Sequence, residues 1–407
     1  MVYEIEGGVN AAVGFSSMGV HAGIKKAKRD MAMIFSRVPC VAAGTFTTNV
    51  VKAAPVIYDR DTIYENDYAQ AIVINSGVAN ACTGEEGMKY CKDMAAATAK
   101  ALDIKPTDVL VASTGVIGQQ LPMDKIQTGI DMLSFTLDSS EEGAHLAAEA
   151  IMTTDTMPKE IAYEFRVAGK QCRIGGMCKG SGMIHPNMCT MLSFITTDVS
   201  ITKELLYEAL SENIKDTYNM VSVDGDTSTN DTVLLLANGM AENKTIDEKN
   251  DDYYAFVEAL NAVNTYLCKC IAGDGEGATA LLEVKVNNTA TKDDAITLAK
   301  SVCTSSLVKT AICGHDANWG RIMCALGYAG VDFDPNLIDI SFHSKAGRIE
   351  IVHNGISTGY SEEKATEILS EDAVTLIIDM KCGDASAVAW GCDLTHDYIS
   401  INADYRS

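Results

Sequence analysis

The chain has 407 residues, 47% of them hydrophobic, and a formal net charge of −23. Such an acidic balance argues against binding to nucleic acid or anionic membranes, because phosphate contacts need clustered lysine and arginine. No apolar stretch of about 18 residues is present, so no membrane span is predicted. The length exceeds the usual size of a single hydrophobic core, and we expect two lobes.

The N-terminal residues and the cysteines together predict a cellular compartment. Residues 1–6 lack a basic segment followed by an apolar one, so we expect a cytoplasmic protein. The 13 cysteines are an odd number scattered along the chain, which is typical of reduced, buried thiols. The seven histidines form no zinc-like spacing, and the sequence therefore predicts neither a metal site nor a cofactor.

The N-terminal part of the chain predicts strands joined by glycine-rich turns. Segments 31–36 and 42–48 are rich in residues that favour strands. Segment 71–74 is a continuous apolar run, as in a strand buried on both faces, and a helix follows over about 85–102. The basic cluster at 24–29 is interpreted as a solvated loop edge.

A strand predicted at 109–112 runs directly into Thr114 and Gly115. A strand that ends in a Thr-Gly turn can present a hydroxyl and backbone N–H groups at one point, the arrangement that an oxyanion hole requires. An ordinary strand end is the alternative interpretation. The spacing alone does not separate the two.

In the segment 179–192, a conformationally constrained turn directly precedes a threonine. Gly180 and Gly182 allow unusual backbone angles, Pro186 fixes the chain, and Thr190 precedes a β-type run at 191–197. A threonine can become a nucleophile when its own freed α-amine acts as the base, which requires that the bond before it be broken. The alternative is a loop followed by a strand that begins with threonine.

The remaining sequence alternates predicted helices and strands. Helices are expected at 202–215, 253–271 and 291–308, and strands at 232–236, 280–286, 337–342, 349–353 and 373–380. Thr291 and Asp294 form a capping-box pattern for the third of these helices. This alternation predicts an α/β protein built from layered sheets and helices.

Several segments resemble the ornithine acetyltransferase (glutamate N-acetyltransferase) family of arginine biosynthesis. The segment 179–192 resembles the self-cleavage segment of that family, and the similarity extends from Gly7-Gly8-Val9-Asn10 to the final residues 402–407. The resemblance implies a fold like that of the self-processing aminopeptidases. It also implies self-cleavage between Cys189 and Thr190, which would give an α chain of residues 1–189 and a β chain of residues 190–407.

The resemblance further assigns roles to individual residues of this chain. Thr190 would be the nucleophile, with its α-amine as the base, and Thr114 and Gly115 would form the oxyanion hole. The residues expected to bind substrate are Thr153, Lys179, Thr190, Glu276, Asn402 and Ser407. The implied assembly is a heterotetramer of two α and two β chains.

The implied reaction moves an acetyl group from N2-acetylornithine to glutamate by a ping-pong route through acetyl-Thr190. Whether acetyl-CoA also serves as a donor is left open by the sequence. Two alternative functions remain open: a self-processed aminopeptidase with an N-terminal nucleophile, and an uncleaved, non-catalytic ligand-binding relative.

The sequence departs from the family pattern at two positions. Val78 stands where the family more often has asparagine. Cys189 stands where alanine usually precedes the cleaved bond, and its thiol could attack the carbonyl of Met188, cutting one residue earlier. We expect a β chain that begins with Thr190.

Overall fold

A computed structural model of the chain describes residues 1–185 and 191–403. The predicted residues Cys189, Thr190 and Ser407 lie outside these ranges. The described part has the expected mixed α/β architecture, with strands gathered into two sheets. None of its helices is long and apolar enough to cross a bilayer.

The strands and helices alternate along most of the described chain. The strands are β1 (Tyr3–Ile5), β2 (Phe15–Val20), β3 (Met31–Phe46), β4 (Ala69–Val78), β5 (Val109–Val116), β6 (Lys159–Val167), β7 (Lys170–Lys179), β8 (Leu192–Thr197), β9 (Val221–Ser222), β10 (Thr232–Ala237), β11 (Leu281–Thr289), β12 (Asp339–Ser344), β13 (Gly347–His353), β14 (Ile356–Ser357), β15 (Ala373–Asp379) and β16 (Ala385–Cys392). The α-helices are α1 (Ala54–Glu65), α2 (Gly84–Leu102), α3 (Met123–Thr136), α4 (Glu141–Ile151), α5 (Lys203–Asp216), α6 (Asp251–Gly273), α7 (Lys292–Thr304), α8 (Ser306–Cys313), α9 (Trp319–Gly327), α10 (Glu362–Leu369) and α11 (His396–Ala403).

The first sheet has nine strands in the order β1-β6-β7-β8-β10-β3-β4-β5, with β2 paired to β3. Alternate residues of its strands face opposite helices. Ile72 and Leu110 pack with α4 on one face, whereas Val73 and Val111 pack with α2 and α3 on the other. Burial on both faces explains why these strands read as continuous apolar runs.

The second sheet has seven strands in the order β14-β13-β12-β15-β11-β16-β9. Helix α6 lies between the two sheets, contacting β6 and β7 on one side and β11 and β16 on the other. The largest hydrophobic cluster therefore includes residues of both sheets. The two expected lobes share one continuous core.

Two predicted elements are wrong in detail. Segments 31–36 and 42–48 form one 16-residue strand, β3, because its first half pairs with β2 and β4 and its second half with β10. The helix predicted at 291–308 breaks at Ser305, whose side chain accepts a hydrogen bond from the Val308 N–H and begins α8. Serine is favoured at such caps.

Helix α1 was not predicted, because its buried face is partly polar. Asp59 and Thr62 are buried in it together with Val56 and Ile63, so apolar residues do not recur with the helical period. The Asp59 carboxylate accepts a hydrogen bond from the Val111 N–H at 2.8 Å, which fixes α1 against β5.

The two sides of the predicted cleavage site are interleaved within the first sheet. Strand β8 pairs with β7 from Lys179↔Leu192 to Ile174↔Thr197, and it pairs on its other edge with β10. Strand β10 in turn pairs with β3. Residues 191–403 thus supply two central strands to a sheet whose other strands come from residues 1–185.

Any break within 186–190, whether spontaneous or introduced with a protease site, should leave the two pieces associated. Separating them requires opening two rows of buried strand hydrogen bonds, which is equivalent to unfolding. Native size-exclusion chromatography should give one peak containing both pieces, and they should resolve only in denaturant. Independent elution in native buffer would contradict this topology.

Candidate active site

A pocket of about 320 Å³ opens where the first sheet meets the C-terminal end of α6. Six of the predicted site residues line it: Thr114, Gly115, Thr153, Lys179, Glu276 and Asn402. They come from five separate parts of the chain. The fold thus brings together every predicted site residue that lies in the described ranges. The remaining ones, Cys189, Thr190 and Ser407, lie outside those ranges.

The oxyanion candidates lie at the end of β5, beside a bulge in β4. Gly115 pairs with Gly77 across the two strands and has a φ of +132°, which strongly favours glycine. A Cβ on Gly115 would lie 2.2 Å from the Gly77 carbonyl carbon. Any larger residue would force the strands apart, so glycine is required by both angle and space.

Two buried asparagines fix the ends of β4 and β5. Asn230 lines the pocket, and its Nδ2 donates to the carbonyl oxygens of Ala79 at 2.6 Å and Ser113 at 2.8 Å. Asn75 accepts a hydrogen bond from the Ser113 hydroxyl at 2.7 Å and donates to the Val78 carbonyl at 2.8 Å. The backbone around Thr114 is therefore held rigidly, as a preorganised oxyanion hole requires.

Met191, the first described residue after the gap, lies near Thr114. Met191, Thr114, Lys179 and Asp231 line a small cavity of about 30 Å³. The Met191 carbonyl accepts a hydrogen bond from the Thr232 N–H at 2.9 Å. Met191 is thus held by the strand pairing in the wall of this small cavity.

Lys179 places a cation at the pocket. It ends β7, is 7% exposed and lines both cavities. Its ammonium has no hydrogen bond or ion pair with any residue in 1–185 or 191–403. A buried ammonium of this kind is available to an anionic group of a ligand.

The nearby carboxylate of Asp155 is committed to the framework. It accepts hydrogen bonds from the Thr153 N–H at 2.9 Å, the Gly180 N–H at 2.9 Å and Lys159 Nζ at 2.7 Å. Burial alone raises the pKa of Asp155, but the charges of Lys179 and Lys159 and these hydrogen bonds outweigh it and hold the pKa well below its usual range. Asp155 therefore stays ionised.

Lys159 extends the same network to the C-terminal end of α6. Its buried ammonium also donates to the Asp274 carboxylate at 2.5 Å. Burial lowers the pKa of Lys159, whereas Asp155 and Asp274 raise it, with a net rise. Asp274 also accepts from the Thr156 N–H at 3.0 Å, so the 153–156 turn and the end of α6 are joined.

Glu276 provides an anion opposite Lys179. It is 7% exposed, and its Oε2 accepts a hydrogen bond from Asn402 Nδ2 at 2.7 Å. A Cβ on Gly182 would lie 2.4 Å from the Glu276 carboxyl carbon. Glycine at 182 is thus needed for the carboxylate to approach the turn after β7.

Asp224 joins the turn after β7 to the C-terminal helix. Its carboxylate accepts from the N–H groups of Met183 at 2.7 Å and Ile184 at 2.8 Å and from the Tyr398 hydroxyl of α11 at 3.3 Å. Met183 lines the pocket with a φ of +59°, an uncommon conformation for a non-glycine residue. Asp224 stabilises that conformation.

Sequence reasoning gave no role to Asn230, Asp155 or Asp224. Asp224 and Asn230 belong to the acidic run 221–231, which begins with β9 and ends before β10. Its unusual density of Asp, Ser, Thr and Asn between two apolar strands was the available signal, since such residues are rarely buried unless they are hydrogen-bonded.

A cluster with metal-ligand potential lies elsewhere, in the second sheet. Within the described ranges, Asp339, Glu350 and His353 have ligand atoms within 4.8 Å of one another. Lys381 Nζ already pairs with Asp339 at 2.7 Å, and none of these residues lines the pocket. The cluster plays no part in the site.

The pocket combines a Thr-Gly backbone turn, a cation and a carboxylate, and the small cavity that Met191 lines shares Thr114 and Lys179 with it. A site with opposite charges on two sides suits a zwitterionic amino acid, and the turn suits a carbonyl that is under attack. Fold and site together define an acyl-transfer type of α/β protein.

Comparison with known proteins identifies the family. The model of the ArgJ family matches residues 16–407, and the chain belongs to that family. It is 53% identical over 394 residues to the arginine biosynthesis bifunctional protein ArgJ 1 of Clostridium acetobutylicum, covering 97% of this chain and 96% of that protein. It is 51% identical over 395 residues to the ArgJ bifunctional protein of Thermotoga neapolitana, covering 97% and 99%.

A solved structure of a relative is also similar. The crystal structure of ornithine acetyltransferase from Mycobacterium tuberculosis, in complex with ornithine, has 39% sequence identity and a TM-score of 0.44. The similarity covers 46% of this chain and 100% of that one.

Removing the buried cation of the framework should be costly. Lys159→Ala leaves two buried carboxylates unpaired, and we expect a loss of about 3–5 kcal/mol in the free energy of unfolding at pH 7. Urea denaturation of both proteins measures this difference.

The loss caused by Lys159→Ala should shrink in acid. Because the native pKa of Asp155 is depressed, the stability that it contributes is fully present above its unfolded pKa of about 3.9 and is lost progressively as the pH falls from there through the lower native pKa. An equal loss at pH 7 and at about pH 3 would contradict the role of this ion pair.

A methyl group at position 182 should disturb ligand binding by displacing Glu276. Misplacing one charged hydrogen-bond partner costs about 1.5–3 kcal/mol, so we expect Gly182→Ala to weaken binding of a diamino acid roughly tenfold or more. Calorimetry gives the dissociation constant. Gly327→Ala, where an added Cβ meets no neighbour within 4 Å, is the control and should bind as the native chain does.

Proposed function

We propose that this protein transfers the acetyl group of N2-acetylornithine to glutamate through an acetyl-Thr190 intermediate, after breaking its own Cys189–Thr190 bond. The observation that carries the proposal is the convergence of four residues on one pocket: Thr114, Gly115, Lys179 and Glu276. Two of them, Thr114 and Lys179, also line the small cavity that contains Met191. Membership of the ArgJ family supports the same reaction.

Self-cleavage would prepare the nucleophile. Thr190 Oγ attacks the Cys189 carbonyl, an ester forms as the peptide bond breaks, and water opens the ester. The products are an α chain of residues 1–189 and a β chain of residues 190–407. The freed α-amine of Thr190, with an ordinary pKa of about 7.7–8.0, then accepts a proton near neutral pH.

Acetyl transfer follows in two steps. Thr190 Oγ attacks the acetyl carbonyl while the α-amine takes its proton, and the oxyanion is stabilised by the Gly115 N–H and by Thr114. Loss of one such donor typically raises the barrier by about 3–4 kcal/mol. Ornithine leaves with the proton, glutamate enters, and its amine accepts the acetyl group.

The charged side chains would orient the substrates. Lys179 binds the α-carboxylate, and Glu276, held by Asn402, binds the side-chain ammonium of ornithine. Thr153 contributes at the wall of the pocket, and Ser407 is assigned a binding role by family resemblance. Glutamate lacks a side-chain ammonium and relies on Lys179.

Several wider features belong to the same proposal. The enzyme needs no resident cofactor or metal, and acetyl-CoA serves as a second acetyl donor, in keeping with the word bifunctional in the relatives' names. The α and β chains form a heterotetramer of two of each, and the reaction takes place in the cytoplasm.

Substitution of the nucleophile tests the proposal directly. Thr190→Ala should remain a single chain on a denaturing gel and should transfer no acetyl group, because the attacking oxygen is gone. Thr190→Ser keeps an oxygen at that position and should still cleave, more slowly. Intact mass of the native protein should give a β chain that begins with Thr190.

Other outcomes would favour a different function. A β chain beginning at Cys189 would assign the first attack to the neighbouring thiol. Turnover of short peptides without acetyl transfer would indicate an aminopeptidase. A native chain that binds ornithine but neither cleaves nor transfers would be a non-catalytic relative.

A further inference from the structure

The surface beside the pocket carries a basic loop on an otherwise acidic protein. The segment 21–29, between β2 and β3 and called here the 21–29 loop, contains Lys25, Lys26, Lys28 and Arg29 and no carboxylate. The whole chain has a formal net charge of −23. Lys125 of α3 adds a further cation, because its Nζ donates to the Gly23 carbonyl at 2.5 Å.

The 21–29 loop is rigidly built. The fully buried carboxylate of Asp30 accepts hydrogen bonds from the N–H groups of Ala22 at 2.6 Å, Gly23 at 3.0 Å and Lys25 at 2.9 Å. A ring nitrogen of His21 forms a hydrogen bond with the Lys28 carbonyl at 2.8 Å. The lysines are therefore presented by a fixed backbone, which lowers the entropy cost of binding.

The 21–29 loop reaches the edge of the pocket. Lys25 Nζ donates to the Met152 carbonyl at 2.7 Å, one residue before Thr153 in the pocket wall. A Cβ on Gly77, the strand partner of Gly115, would lie 3.3 Å from Lys25 Cγ. The first lysine of the loop thus packs against the backbone that forms the oxyanion turn.

Electrostatics link the loop to the pocket. Burial lowers the pKa of Lys25 to about 8, and among the smaller effects Asp155 raises it and Lys179 lowers it. Charges at the pocket and charges on the loop therefore act on each other.

Two cations of the loop remain available. Arg29 pairs with Glu149 at 3.2 Å, and Lys25 is bound to a backbone carbonyl. Lys26 and Lys28 are exposed, and no ion pair joins either to a residue in the described ranges. Exposed cations near a substrate pocket attract an anionic ligand over about a Debye length.

We propose that the 21–29 loop, through Lys26 and Lys28, binds the phosphate groups of a coenzyme A-type acyl thioester that delivers its acetyl group to the same pocket. This inference rests on the proposed function, because it needs Thr190 as the acetyl acceptor. Acetylornithine carries no phosphate and needs no such loop. A polyphosphorylated donor would be repelled by most of an acidic surface and needs a local basic site.

Transfer of the acetyl group from the thioester to Thr190 requires no further reagent. Thr190 Oγ forms a bond to the thioester carbonyl carbon, and its proton passes to the α-amine. The carbon–sulfur bond then breaks, and the departing thiolate takes that proton to leave as coenzyme A. The same acetyl-enzyme forms from either donor.

The test compares two donors in a variant that lacks both exposed lysines. Lys26→Ala/Lys28→Ala should raise the KM for acetyl-CoA roughly three- to thirtyfold, as expected for two exposed charge pairs, and leave the KM for acetylornithine within about twofold. Lys244→Ala/Lys364→Ala removes the same charge from other exposed positions and should alter neither KM.

Two further arms identify what the 21–29 loop recognises. Acetyl-pantetheine, which lacks the nucleotide phosphates, should serve the native protein and the double variant equally. Salt at about 0.5 M should raise the KM for acetyl-CoA in the native protein but hardly in the double variant. Equal changes for both donors, or no change for acetyl-CoA, would overturn the inference.

Failure of the inference is distinguishable from failure of the proposed function. If the native protein transfers acetyl from acetylornithine to glutamate but calorimetry detects no binding of coenzyme A, the 21–29 loop proposal and the use of acetyl-CoA as a second donor are wrong, and the transfer from acetylornithine stands. If no transfer from acetylornithine occurs, the proposed function is wrong, and calorimetric binding of coenzyme A to the native and doubly substituted chains still decides the role of the loop.

Discussion

The buried carboxylate of Asp155 joins three separate parts of the chain at the pocket. It accepts hydrogen bonds from the 153–156 turn, from Lys159 at the start of β6 and from Gly180 after β7. Through Lys159 it is linked to Asp274 and so to the turn that carries Glu276. The relative positions of Thr153, Lys179 and Glu276 therefore depend on one largely buried network of ion pairs and hydrogen bonds.

The network lies next to the segment that the proposed reaction must break. Gly180 follows β7, and the chain resumes at Met191 before β8, so both flanks are fixed by paired strands. A break between them leaves the sheet intact, because β8 and β10 are already held between β7 and β3. The fold thus allows a new chain end to be created without loss of the surrounding geometry.

Much of the site could be read from the sequence, because its residues stand beside recognisable breaks in regular structure. Thr114 and Gly115 end an apolar strand, and Gly182 and Glu276 belong to glycine-rich turns. The resemblance to a known family then gave these residues their roles. The pocket brings together all of those that lie in the described ranges.

The supporting residues could not be read in the same way. Asp155 and Asp274 are 119 positions apart in the sequence (274 − 155), so no local pattern relates them. The residue type alone also does not show whether an aspartate is buried or exposed. The single long strand β3 was missed for a similar reason, since its continuity depends on pairing with β10, far along the chain. Tertiary contacts decided these features, and local propensity could not.

The central claim is that Thr190 carries the acetyl group as the first residue of a new chain. The most direct measurement is to mix the purified protein with acetylornithine, quench within one turnover, and map the modified peptide by mass spectrometry. The account predicts one added acetyl group on the N-terminal threonine of the 190–407 chain. An acetyl group on any other residue, or efficient transfer by an uncut 407-residue chain, would contradict it.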